Sequence, residues 1–207
     1  MAIADGMAIN CSDLQAVGGT RLIAIREWVS TDIVVFNDTP HDITSIQGVG
    51  PVAANWGVFE SRIESSSLTV AATNEGKEFT TFESTVSWFI PGLTAAQFKG
   101  LHDFEGGKCL MVMVIDNNDA TSGTTTPSAA FASNKVIGLS HTLYNDDNAA
   151  RTQQYATLAS IDGGTGTAFS DEIGVTVTIT CRSFETPRNY VGTIALDADG
   201  LGLTTTV

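Results

Sequence analysis

Two stretches of strict two-residue alternation constrain this chain more than anything else in it. From Phe82 to Ile90, Phe82, Val86, Trp88 and Ile90 share one side, while Thr81, Glu83, Thr85 and Ser87 share the other. From Val175 to Arg182, Val175, Val177, Ile179 and Cys181 alternate with Thr176, Thr178, Thr180 and Arg182. Successive side chains of a β-strand point to opposite faces, so this period predicts strands with one apolar and one hydroxyl-rich face. A third run, Cys109–Ile115, is apolar throughout and predicts a strand buried on both faces. The chain therefore reads as all-β.

The rest of the pattern is consistent with that class. Arg21–Trp28, Ile33–Phe36 and Ile43–Ile46 predict further strands, and Gly48 to Pro51 reads as a break. Leu68, Val70 and Ala72 form an alternating run that a turn at Asn74–Lys77 joins to the Phe82 strand, which together read as a long β-hairpin. Lys135–Leu143 and Gln153–Ser160 are two more candidate strands, and Asp162–Thr167 reads as a turn. One short helix is expected over about 94–105. Thr94 and Gln97 form a capping box, Leu93 and Phe98 a hydrophobic staple, and Gly106-Gly107 a stop. The expected core is Phe82, Val86, Trp88, Ile90, Phe98, Leu101, Phe104, Val112, Val114, Val177 and Ile179. Residues 1–20 read as an N-terminal arm, 21–188 as one β domain, and the Gly-rich, weakly patterned 189–207 as a C-terminal tail.

Charge narrows the function classes. Only 16% of the 207 residues are charged, against about 25% in ordinary soluble domains. Lys and Arg number 10 against 23 Asp and Glu, a formal net charge of −13. That balance lacks the basic footprint for gripping nucleic acid or an anionic membrane. A low charge fraction, with many Ser, Thr and Gly residues, suits a surface covered by partners. Met1 to Gly6 shows no basic-then-apolar leader, and no apolar run reaches the roughly 18 residues of a membrane span. Synthesis in a reducing cytoplasm is expected. Cys11, Cys109 and Cys181 are odd in number and widely spaced, with Cys109 and Cys181 reading as small core residues.

No catalytic or metal-binding constellation emerges. His41, His102 and His141 are scattered without ligand spacing, and Gly163–Thr167 lacks the ending of a phosphate loop. Asp116–Asp119 and Asp197–Gly200 lack the remaining ligands of a calcium loop. Asn10 and Asn37 match the glycosylation pattern, which has no meaning without secretion. Trp28, Trp56 and Trp88 invite comparison with a sugar-binding platform, but Trp88 lies on an apolar strand face. We expect no cofactor and no enzymatic activity.

Taken together, Phe82–Asn118 (strand, Pro-led turn, short helix, apolar strand, Asn-rich loop) and Lys135–Tyr190 with its closing strand GVTVTITCRSFETPRNY resemble a known family. They are similar to the tail tube, or major tail, proteins of tailed bacteriophages, in particular those of phages infecting Bacteroidetes-type bacteria. The opening CSDLQAVGGTRLIAI is similar to that group's start, whereas Asn145–Gly166 and the C-terminal tail are longer than usual. The resemblance implies a β-sandwich or half-barrel with one packed helix and a long β-hairpin. It implies hexameric rings that stack into a tube in the virion, a conduit for DNA. Its partners would be identical subunits, the tape-measure protein, transiting DNA, and the tail terminator and tail-tip proteins, with no membrane. Glu83, Thr85, Thr176, Thr178 and Thr180 are the candidate channel-facing residues. Alternatives are another virion ring or decoration protein (a tail terminator or head–tail connector) and an Ig-like glycan-binding module.

Overall fold

The computed structural model describes residues 20–29, 32–37, 41–48, 54–60, 64–74, 80–92, 95–102, 104, 107–116, 124–125, 134–139, 155–164, 173–196 and 202–206. The centre of the fold is the antiparallel pair β1 (Thr20–Glu27) and β7 (Leu110–Asp116). Every residue of β7 except Asp116 is buried. Met111, Met113 and Ile115 enter one apolar cluster, and Leu110, Val112 and Val114 enter another. An unbroken apolar run is what a strand needs when both of its faces are covered.

Around this pair the chain adds β2 (Ile33–Asn37), β3 (Asp42–Gln47), β4 (Ala54–Glu60), β8 (Thr124–Thr125), β9 (Lys135–Ile137), β12 (Arg188–Tyr190), β13 (Thr193–Leu196) and β14 (Gly202–Thr206). They form one ten-stranded sheet in the order β2-β3-β12-β9-β7-β1-β4-β14-β13-β8. The sheet curls on itself. Strands β3 and β14 are far apart in that order, yet Thr205 on β14 donates a hydrogen bond to the Ile46 carbonyl on β3 at 2.7 Å. The enclosed core contains Val34, Ile43, Ile46, Trp56, Met113 and Tyr190.

A second, four-stranded antiparallel sheet runs β10-β11-β6-β5, from β5 (Ser66–Thr73), β6 (Thr81–Pro91), β10 (Thr157–Gly164) and β11 (Gly174–Ser183). Its inner face packs on the outer face of β1 and β7. Val86, Trp88, Ile90, Val175, Val177, Ile179 and Cys181 meet Ile23, Ile25, Val112 and Val114 there. The fold is thus all-β, a curled half-barrel sheet with a second sheet laid against it. Helix α1 (Ala95–His102) adds Leu101 to this second core, and the Phe104 ring just beyond it meets the Phe59 ring at a tilt of 60°, centroids 5.4 Å apart. Thr94 and the side chains of Gln97 and Phe98 lie outside the described residues, as do residues 1–19.

Several segments depart from the sequence expectation. Residues 189–207, expected as a tail, supply β13, β14 and most of β12, and Thr205 is fully buried. Their signal is weak because each strand is short and leans on distant partners. The Gly-Pro cluster before strand β4 hides its pattern, a run in which Ala54, Trp56 and Val58 are buried. Asp162, Gly163 and Gly164 pair with β11 as strand residues, so the expected turn begins later than Asp162. Strand β9 stops at Ile137 because Gly138 has φ +86°, and a Cβ there would lie 2.3 Å from the Leu110 carbonyl oxygen.

Candidate assembly surface

The outer face of the four-stranded sheet is a grid of hydroxyls. Cross-strand register aligns Thr157, Thr180, Thr85 and Thr69 in one row, and Ser160, Thr178, Ser87 and Ser67 in the next. A third row carries Asp162, Thr176 and Phe89, and a fourth Arg182, Glu83 and Ala71. The rows follow from the antiparallel register: in β6 and β11 the apolar half of the alternation is drawn into the core, which turns the other half outward and sets the face that β5 and β10 extend. The five residues singled out from sequence, Glu83, Thr85, Thr176, Thr178 and Thr180, share this face.

The face is not simply acidic. Glu83 forms an ion pair with Arg182 directly opposite, 3.5 Å apart and largely exposed on both sides. Among the described residues of the face, Glu83, Arg182 and Asp162 carry the charge, and the hydroxyls dominate. The pairing of Glu83 was not legible from sequence, because it depends on the register between β6 and β11.

Both edges of this sheet are open among the described residues. Strand β5 has the sequence SSLTVAAT, without a charged residue or a proline, and Val70 is 45% exposed. Ala71 and Ala72 beside it are exposed as well. Soluble monomers usually blunt such an edge with lysine, proline or a bulge. Strand β10, at the opposite edge, exposes Ala159 and has a register shift between Leu158 and Ser160. Exposed Ile33 and Val35 mark β2, an edge of the larger sheet.

Beside the inner side of β5 lies a groove of about 300 Å³. Leu68, Val70 and Pro187 give it apolar walls, and His41, Lys135, Thr186 and Asn189 are its polar groups. Lys135 Nζ donates to Asn189 Oδ1. Burial pulls the Lys135 ammonium below the usual lysine pKa, against the opposing pull of the Asp42 and Asp116 carboxylates. His41 sits at φ 86°, and its Nε2 lies 3.3 Å from the Thr186 carbonyl. None of these groups was singled out from sequence as a set, because they come from β9, β12 and the turns before β3 and β12.

The tryptophans form no shared platform: Trp56 and Trp88 are buried in different cores, and Trp28 stacks on Tyr155 at 5.3 Å. Burial pushes the Cys181 thiol up to about 11 and the Tyr190 phenol up to about 12. Fold and surface together define an all-β protein with an open-edged, hydroxyl-faced sheet. No family model, no curated protein and no solved structure matches the chain.

Proposed function

We propose that this protein is a structural subunit that assembles with identical copies through the open edges of its four-stranded sheet. Rings of subunits would stack into a tube, as the resemblance to phage tail tube proteins implies. The observation that carries this reading is β5, an uncharged edge strand with exposed apolar side chains. Topology supports it. A rotation about a ring axis keeps each strand's direction along that axis. Four alternating strands therefore bring β5 of one copy against β10 of the next in antiparallel sense, the more stable pairing. An interface of this head-to-tail kind closes into a ring when its rotation divides the circle.

The hydroxyl face would then line the channel. Neutral hydroxyls and balanced charges offer phosphates no cationic trap, so DNA could slide along them. The tape-measure protein would occupy the same channel, and terminator and tip proteins would cap the tube of the virion. This is a structural role, with no cofactor and no catalysis on other molecules. Negative-stain images of the purified protein at high concentration test it. Long tubes of stacked rings are expected; single rings would favour a terminator or connector, and a stable monomer at every concentration would end the assembly reading.

A further inference from the structure

Lys135, Asn189 and Asp42 are neighbours in a single row across three adjacent strands. Asn189 on β12 is the cross-strand partner of Lys135 on β9 and, on its other side, of Asp42 on β3. The next residues along, Tyr190 and Ile43, pair with each other and enter the core enclosed by the curled sheet. Alternation therefore turns Asp42 and Asn189 to the opposite face, the one that carries the groove. Asp42 is buried, and the Lys135–Asn189 hydrogen bond is part-buried beside Leu68, Val70 and Pro187.

We propose that Lys135 and Asn189 are a self-modification site, where the lysine amine displaces the asparagine amide nitrogen to form an intramolecular isopeptide bond. The neutral amine of Lys135 adds its lone pair to Asn189 Cγ, forming the Nζ–Cγ bond. The bond from Cγ to Nδ2 breaks, and Nδ2 leaves as ammonia with the proton that Nζ gives up. One amide replaces another, so no oxidant, reductant or further reactant is consumed. The reaction needs the amine unprotonated and held against the carbonyl group. The hydrogen bond to Oδ1 supplies the second condition in part: it holds Nζ beside the Asn189 amide, so that only a local turn of the lysine side chain, and no diffusive encounter, is needed to bring the amine to Cγ. The partial burial of Lys135 favours the first. The Asp42 carboxyl flanks Asn189 on its other side and acts electrostatically on Lys135, which makes it the group of the row to relay the proton from Nζ to the departing nitrogen.

The bond would fasten β9 to β12. It would anchor the start of the C-terminal strands to the middle of the large sheet, and a subunit under load could not lose them by strand peeling. This inference is independent of the tube reading, because it concerns chemistry within one subunit.

Intact-mass spectrometry of the full-length protein, followed by peptide mapping, tests it. The expected chain is lighter than its sequence by one ammonia and yields a branched peptide joining residues 135 and 189. Lys135→Arg and Asn189→Ala should each restore the full mass, and Asp42→Asn should slow bond formation roughly 100-fold. A wild-type chain that keeps its full mass after prolonged incubation at alkaline pH overturns the proposal. So does ammonia loss that persists in Lys135→Arg, since this would place it at another residue. Wild-type mass and mapping decide the matter even if a variant fails to fold.

Discussion

Thr205 and Ile46 stand 159 residues apart in sequence, yet the hydroxyl of one donates to the carbonyl of the other at 2.7 Å. The same hydroxyl accepts from Trp56 Nε1 at 3.2 Å, so one fully buried side chain ties β14 to β3 and β4. Thr205→Val keeps the shape and removes both bonds, leaving the Trp56 donor in an apolar core. The expected loss is about 2–3 kcal/mol, read as a lower urea midpoint with little change in slope.

Strand β5 is the edge on which assembly is proposed to depend. Val70→Lys puts a charge on its inward side, where an added strand would have to cover it. Tubes should disappear from electron micrographs. Monomer stability should change by less than about 1 kcal/mol, because Val70 is already nearly half exposed. Tubes that form as before would move the interface elsewhere.

The pairing of Glu83 with Arg182 balances charge on the hydroxyl face. Glu83→Lys should leave assembly intact, since both side chains are exposed. In the proposed ring of subunits it should also place cations around the channel, retaining DNA at low salt and releasing it at high salt. Fluorescence anisotropy with labelled DNA across a salt series checks this; unchanged, negligible binding would show that the face does not meet the channel.

Alkaline pH should weaken the fold through two buried groups. Cys181 titrates at about 11 against a reference of 9.0, and Tyr190 at about 12 against 10.0. Both folded values are raised, so the unfolded chain loses its protons first. The stabilisation is complete below about pH 9 and is lost as pH rises toward 12. Tyr190→Phe should flatten the upper part of that decline, measured by urea unfolding across the pH range. At neutral pH the buried Cys181 should also react with iodoacetamide far more slowly than the partly exposed Cys109.

Whatever depends on local period alone was legible in the order of residues. Strands β6, β7 and β11 follow from side-chain alternation or from an unbroken apolar run, and the one helix, expected over about 94–105, is found at Ala95–His102. The all-β class comes with them, because a strand with one apolar face must bury it against another layer. Long-range packing set β4 and the C-terminal strands, whose short patterns gain meaning from distant partners. It also decided the curl that brings Thr205 to Ile46, the match of Glu83 with Arg182, and the row of Lys135, Asn189 and Asp42. Each of these depends on register between strands remote in sequence, and a shift of one residue would turn the side chains to opposite faces. Periodicity shows that a strand has two faces; the packing of distant segments decides what each face meets.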